Sequence, residues 1–207
     1  MIVKKIGLIT NDRIDEEKVR SASGKNIKII TIAPLSYLNE MVDKILIEEV
    51  DALIVDYDLR NDHHTLYQGA EVIRRIEEQK EGFPLFLIVD DQGIEQAEKE
   101  VDNVHLVYGK ERVFTNVGRF LERISRQIEK EKQKIQAQEA RLLQLMHRIH
   151  SLSAQEESEI NALNFSLEKG INKRRAKDLS AITSSSQKKL ANILAKTDEI
   201  LHTLNKS

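Results

Sequence analysis

Five short apolar runs, separated by stretches long enough for one helix each, constrain this chain more than any other feature. The runs are Ile6 to Ile9, Ile27 to Ala33, Ala52 to Val55, Pro84 to Val89 and Val104 to Tyr108. Three are rich in β-branched residues, and all stop at residues that end strands: Thr10-Asn11-Asp12, Pro34, Asp56, Asp90 and Gly109. Between them apolar residues fall at helical spacing. Leu38, Met41, Val42, Ile45 and Leu46 predict one helix, Ala70 to Glu78 a second and Ile94 to Val101 a short third. Near-continuous apolar strands alternating with helices predict a parallel sheet covered on both faces. Right-handed crossovers then gather the loops that follow the strands on one edge, where ligand sites of open α/β sheets lie.

The second half obeys a different period. From Val117 to Leu152 the apolar residues repeat every seven positions, in two seams. One seam is Leu121, Ile128, Ile135, Leu142 and Ile149; the other is Val117, Ile124, Glu131, Gln138, Leu145 and Leu152. About five heptads of this kind are the requirement for a coiled coil. Glu131 and Gln138 interrupt the apolar pattern, a device that fixes register or partner at a cost in stability. Ser153-Ala-Gln-Glu156 reads as a capping box, so one helix is expected to end near Leu152 and another to begin there. Ile160, Leu163 and Leu167 then make a new apolar stripe, and Leu190 to Leu204 forms a last amphipathic stretch. The expected organisation is an α/β domain over residues 1–112, its last helix continuing to about 128, and a helical coiled-coil or bundle region over 113–207.

Composition supports that division. Among 207 residues 32% are charged and 4% aromatic, which suits a globular domain joined to long solvated helices. Residues 1–112 hold 15 Lys/Arg against 23 Asp/Glu, a net of −8, whereas 113–207 hold 17 against 11, a net of +6. The basic half keeps many acids between its cations, so solvated helices or attraction between the two halves are better supported than a nucleic-acid surface. There is no cysteine, hence no disulfide, thiolate nucleophile or cysteine-ligated zinc. The opening MIVKKIGLITND has no long apolar run, and no run approaches the roughly 18 residues of a spanning helix. No membrane association and a cytoplasmic location are expected.

The stretch DALIVDYDL, Asp51 to Leu59, resembles the third strand of bacterial response-regulator receiver domains of the chemotaxis type, in which the strand ends on the aspartate that accepts phosphate. Asp56 falls on that position. Gly69 and the helix GAEVIRRI, Phe83-Pro84 before an apolar strand, and Lys110 after the fifth run follow in the family's order, and the resemblance covers about residues 1–128. It implies a flavodoxin-like five-stranded parallel sheet. It also implies a pocket in which two acids after strand one and the phosphoacceptor hold magnesium, a hydroxyl after strand four and a lysine after strand five binding the phosphoryl oxygens. Magnesium chemistry of this kind needs several hard oxygen ligands.

The chain departs from that pattern. Thr10 and Asn11 align with the two acid positions, although a slip of one residue brings Asn11 and Asp12 there instead. Val89 or Asp90 stands at the hydroxyl position, and Glu111 where the family has proline. The candidate phosphoryl pocket is therefore Asp56 with Lys110, Asn11 and Asp12, and the candidate metal ligands are Asp12 and Asp56. The alternative for Asp56 is an acid capping a strand–loop junction and paired with Lys110. No other cofactor is expected, and magnesium only if the receiver is active.

Other motifs carry less. His63-His64 lacks a third metal ligand, and His147 and His150 fall outside both seams without the acid and amide of a phosphotransfer helix. The cluster Lys173, Arg174, Arg175 and Lys177 has no interleaved aromatics for stacking on bases. Ser23-Gly24-Lys25 lacks the spacing of a phosphate-binding loop, and no serine elbow or metalloprotease helix is present, so no enzyme is expected. Three functions remain: a non-catalytic signalling adaptor with a degenerate receiver and a helical tail for a protein partner or a homodimer; a phosphorylation-dependent regulator with Asp56 as acceptor; and, least supported, a nucleic-acid-binding protein acting through its basic half.

Overall fold

The computed structural model describes residues 3–60, 64–147 and 153–170. Five strands, β1 (Lys4–Ile9), β2 (Ile27–Thr31), β3 (Ala52–Asp56), β4 (Leu85–Val89) and β5 (Val107–Gly109), form one parallel sheet in the order β2-β1-β3-β4-β5. This is the doubly wound, flavodoxin-like arrangement, and its strand order reverses between β1 and β3. The fifth run begins later than its apolar residues predict, because Val104–Leu106 forms a 3-10 turn before β5.

The period-2 alternation of each strand divides the core in two. Leu53 and Val55 of β3 face α2 (Leu38–Ile47), α3 (Gly69–Gln79) and α4 (Ile94–Glu100), meeting Met41, Ile73, Ile76 and Ala97. Ala52 and Ile54 face the other way, towards Val19 of α1 (Arg13–Ser21), Val113 of α5 (Lys110–Thr115) and the start of α6 (Val117–Met146). Asn116 separates α5 from α6: its backbone leaves the helical region and its side chain accepts the Arg119 N–H at 3.0 Å, an N-cap.

The seam through Val117, Leu121, Ile124 and Ile128 is thus not a free coiled-coil surface. These four residues are buried with Phe120 beneath the sheet of their own chain. Heptads fit this use because an a/d stripe is also a helix's core-facing stripe. Lys4–Glu129 and Lys132–Asp51, each 2.8 Å, fasten α6 at the sheet's lower edge. Beyond Glu131 the helix leaves the sheet. Ile135 is 39% exposed, Leu142 half-buried and Leu145 buried, while Ile149 and Leu152 lie outside the described residues.

α7 (Ala154–Gly170) folds back antiparallel on this distal part of α6. Gln138 donates to Ser166 Oγ at 3.0 Å, and Arg141 grips Glu159 through two hydrogen bonds of 2.8 Å. The capping box at Ser153 starts α7: the Glu156 carboxylate accepts from Ser153 N–H and Oγ–H, and Ser153 Oγ accepts the Glu156 N–H. Among the described residues no helix is long and apolar enough to cross a membrane.

Candidate functional site

The C-terminal ends of the strands, flanking the point where strand order reverses, form a cleft of about 680 Å³ lined by Asn11, Asp12, Asp15, Asp56, Asp90 and Lys110 among others. Each group arrives there for a local reason. Asp56 is the last residue of β3, and its backbone is covered by α3. A Cβ on Gly69 would meet the Asp56 carbonyl and come within 3.0 Å of Tyr57 Cα, so only glycine admits this approach. Gly69 N–H then donates to the Tyr57 carbonyl at 2.8 Å. Lys110 is the first residue of α5, directly after β5, and its side chain crosses the end of the sheet.

Lys110 is the centre of the site. Its ammonium lies 2.9 Å from Asp56 Oδ2, 3.2 Å from Asp15 Oδ2 and 3.7 Å from Asp90 Oδ1. Asp56 and Asp15 are 3% and 4% exposed, whereas the Asp90 side chain is mostly in solvent, so the lysine is a bridge between two buried carboxylates. Burial works against the ammonium, but the hydrogen bonds and charges of Asp56 and Asp15 outweigh it and hold Lys110 above its ordinary range. For Asp56 burial is the larger influence. It raises the carboxyl above the usual aspartate value despite Lys110, the Thr10 hydroxyl and the Asp58 N–H, which all favour the charged form.

The residues after β1 are committed elsewhere. Thr10 Oγ1 donates to Asp56 Oδ2 at 3.1 Å and accepts the Asp12 N–H at 3.0 Å. Asn11 Nδ2 donates to the Leu59 carbonyl at 2.9 Å, tying the loop after β3 to the end of β1. Asp12 is the N-cap of α1: its Oδ1 accepts from Ile14 N–H at 2.7 Å and Asp15 N–H at 3.2 Å. Asp12 and Asp56 therefore line one cleft, with Asp12 Oδ1 capping α1. The acid that joins Asp56 is Asp15, one turn into α1, and the cation between them is Lys110. Among the described residues no group of three or more His, Asp or Glu side chains is placed to hold a metal ion. Asp56 Oδ2 accepts from Thr10 and Lys110, and Oδ1 from the Asp58 N–H.

Asp15 went unmarked in the sequence, yet it carried a signal. It stands four residues before Val19, on the same face of α1, and both are buried. An acid on the apolar stripe of a helix demands a cation, and Asp15 takes two, Lys110 and Lys18, the latter at 3.1 Å. Lys18 in turn lies over the Phe114 ring at 4.4 Å. After β4, Asp91 accepts the Glu111 N–H at 3.1 Å, which anchors the start of α5. His63 and His150 lie outside the described residues, as does the basic cluster from Lys173 to Lys177.

No family model matches the chain, and neither does any curated protein. Among solved structures it is similar to the RcsB response regulator of Salmonella typhimurium, with 14% identity and a TM-score of 0.42 over 87% of this chain and 100% of that one.

Proposed function

We propose that this chain is a non-catalytic signalling adaptor, in which a receiver-like domain serves as a docking module and the helical region associates with a protein partner or a second copy. The observation that carries this reading is how the acids after β1 are engaged: Asp12 caps α1, and Asp15 takes Lys110. In a working receiver the acceptor aspartate is presented to a metal ion and an incoming phosphoryl group. Here Lys110 and Thr10 occupy Oδ2 of Asp56, and Asp12 is engaged in capping α1. A third acid, Asp15, completes a neutralising contact with Lys110 where a receiver would place magnesium ligands. A carboxylate held this way is a structural ion pair closing the top of the sheet.

Treatment with acetyl phosphate and magnesium, followed by intact-protein mass spectrometry, tests this reading. No adduct is expected. An adduct that disappears in Asp56→Asn overturns the adaptor reading and supports the second one, a phosphorylation-dependent regulator. That second reading draws on a single feature, the lysine at 2.9 Å from Asp56, since a phosphoryl pocket uses the same pair. Self-association of the helical region is read by light scattering. Because the first two heptads are buried within their own chain, a dimer must use the surface of α6 beyond Glu131 together with α7, and a mass that stays at 23.8 kDa removes the homodimer.

A further inference from the structure

Among the described residues Lys4, Lys18, Arg20, Arg60, Arg75, Lys99, Lys110, Lys132 and Arg141 each sit within 4 Å of an acid. Four arginines without such a partner stand together. Arg112 of α5 and Arg119, Arg123 and Arg126 of α6 line a single groove of about 670 Å³, and among the described residues none of the four has an acid at ion-pair distance. Arg119, Arg123 and Arg126 stand at i, i+4 and i+7, one stripe of the helix spanning about 10 Å. The wall between α5 and α6 is aromatic. Tyr108 and Phe120 pack with centroids 5.3 Å apart, and the Arg123 guanidinium lies 5.1 Å over the Tyr108 ring. That cation–π contact holds one guanidinium against the ring.

We propose that this groove docks a short acidic segment of a protein partner. Four unpaired guanidiniums are forks for carboxylates, and arginine beside tyrosine and phenylalanine is the composition of protein-interface anchors. The groove is short, its arginines spanning about 10 Å of α6, and a segment of a few residues with carboxylates for the guanidiniums and an apolar side chain for the aromatic wall fills it. The adjoining depression holds Lys4, Lys25 and Arg126 beside Glu122, so the oligonucleotide arm of the test distinguishes this partner from a nucleic-acid backbone. The groove lies apart from the Asp56 cleft, and its use does not depend on whether Asp56 accepts phosphate.

The test uses the full chain and fluorescence anisotropy with labelled octaglutamate, beside a single-stranded oligonucleotide of equal charge. Saturable octaglutamate binding is expected, weakened about tenfold or more in Arg112→Gln/Arg119→Gln, since removing a charge-assisted hydrogen bond weakens binding by about a factor of ten. Arg74→Gln/Lys99→Gln, which removes two cations from α3 and α4, leaves it within about twofold. All four positions are exposed, so both variants fold, and matching thermal melts confirm it. Equal weakening in the two variants, or no saturation at about 1 mM peptide, overturns the proposal. Tighter binding of the oligonucleotide that is abolished in the arginine variant overturns it too, making the groove a nucleic-acid site.

Discussion

Replacing Lys110 with methionine removes the cation that two buried aspartates share, and the consequence for stability follows from what each acid keeps. Asp15 retains Lys18 at 3.1 Å. Asp56 retains only the Thr10 hydroxyl and the Asp58 N–H, at 3.1 and 3.3 Å, in a site 3% exposed. Orphaning one member of a buried ion pair costs about 3–5 kcal/mol. The Lys110 side chain is 18% exposed and methionine refills part of its volume, which lowers the expected loss to about 2–4 kcal/mol at pH 7. The loss depends on pH with a definite sign. Burial already raises Asp56 in the wild type, and a raised acid contributes stability below its unfolded value, near 4, that is lost as pH rises through the folded value. Lys110 contributes below its ordinary pKa and loses that contribution only in strong alkali. Without Lys110 the Asp56 carboxyl rises further, so the variant regains stability between pH 7 and pH 5 faster than the wild type does. Urea unfolding followed by circular dichroism at both pH values measures this as a shift in midpoint at constant m. Adding Asp56→Asn to Lys110→Met should recover most of the loss, a coupling of about 1.5–3 kcal/mol. A loss at pH 7 below about 1 kcal/mol, or the same loss at both pH values, would refute the view that Lys110 bridges buried charges.

Two further substitutions probe how the chain divides its apolar residues. Ile128→Ala should cost about 2–5 kcal/mol, because Ile128 is 1% exposed between α6 and the sheet. Ile135→Ala, one heptad later at 39% exposure, should cost under about 1 kcal/mol; equal losses in urea titrations would mean one continuous seam after all. Gly69→Ala should destabilise by about 1–3 kcal/mol, since the clash with the Asp56 carbonyl exceeds any gain in helix propensity; a neutral or raised thermal midpoint would contradict the close approach of α3 to β3.

The fold was legible because strand and helix periods do not resemble each other. Leu85 to Val89 is apolar at every position and all five residues are buried, as a central parallel strand requires. The heptads were legible as a stripe but not as a destination. Leu121 and Ile128 would serve a coiled-coil partner or a sheet equally well, and periodicity contains no term for what lies opposite. Two local signals did mark the division. Asn116 is a strong N-cap residue directly before Val117, and Glu131 falls where α6 passes the sheet's edge and turns a carboxylate toward Gly82, whose φ of +76° marks the loop there.

The site was half legible for a chemical reason. Asp56 ends the third strand signal and Lys110 follows the fifth, so parallel sheet topology alone brings them to one edge. Which acids accompany them depends on side-chain competition within α1. Asp12 stands immediately before the first turn of a helix, where orphan backbone N–H groups compete for its carboxylate, and two of them win it. Asp15 is past the cap, turned inward with Val19, and has no backbone donor to satisfy it. A buried acid in that position must take a side-chain cation, and the nearest ones are Lys18 and Lys110. The lysine that would bind a phosphoryl oxygen in a receiver is thereby engaged by two carboxylates of its own chain. On the adaptor reading proposed above, those two carboxylates compete with a phosphoryl oxygen for the three N–H groups of Lys110, and the bridge serves the fold.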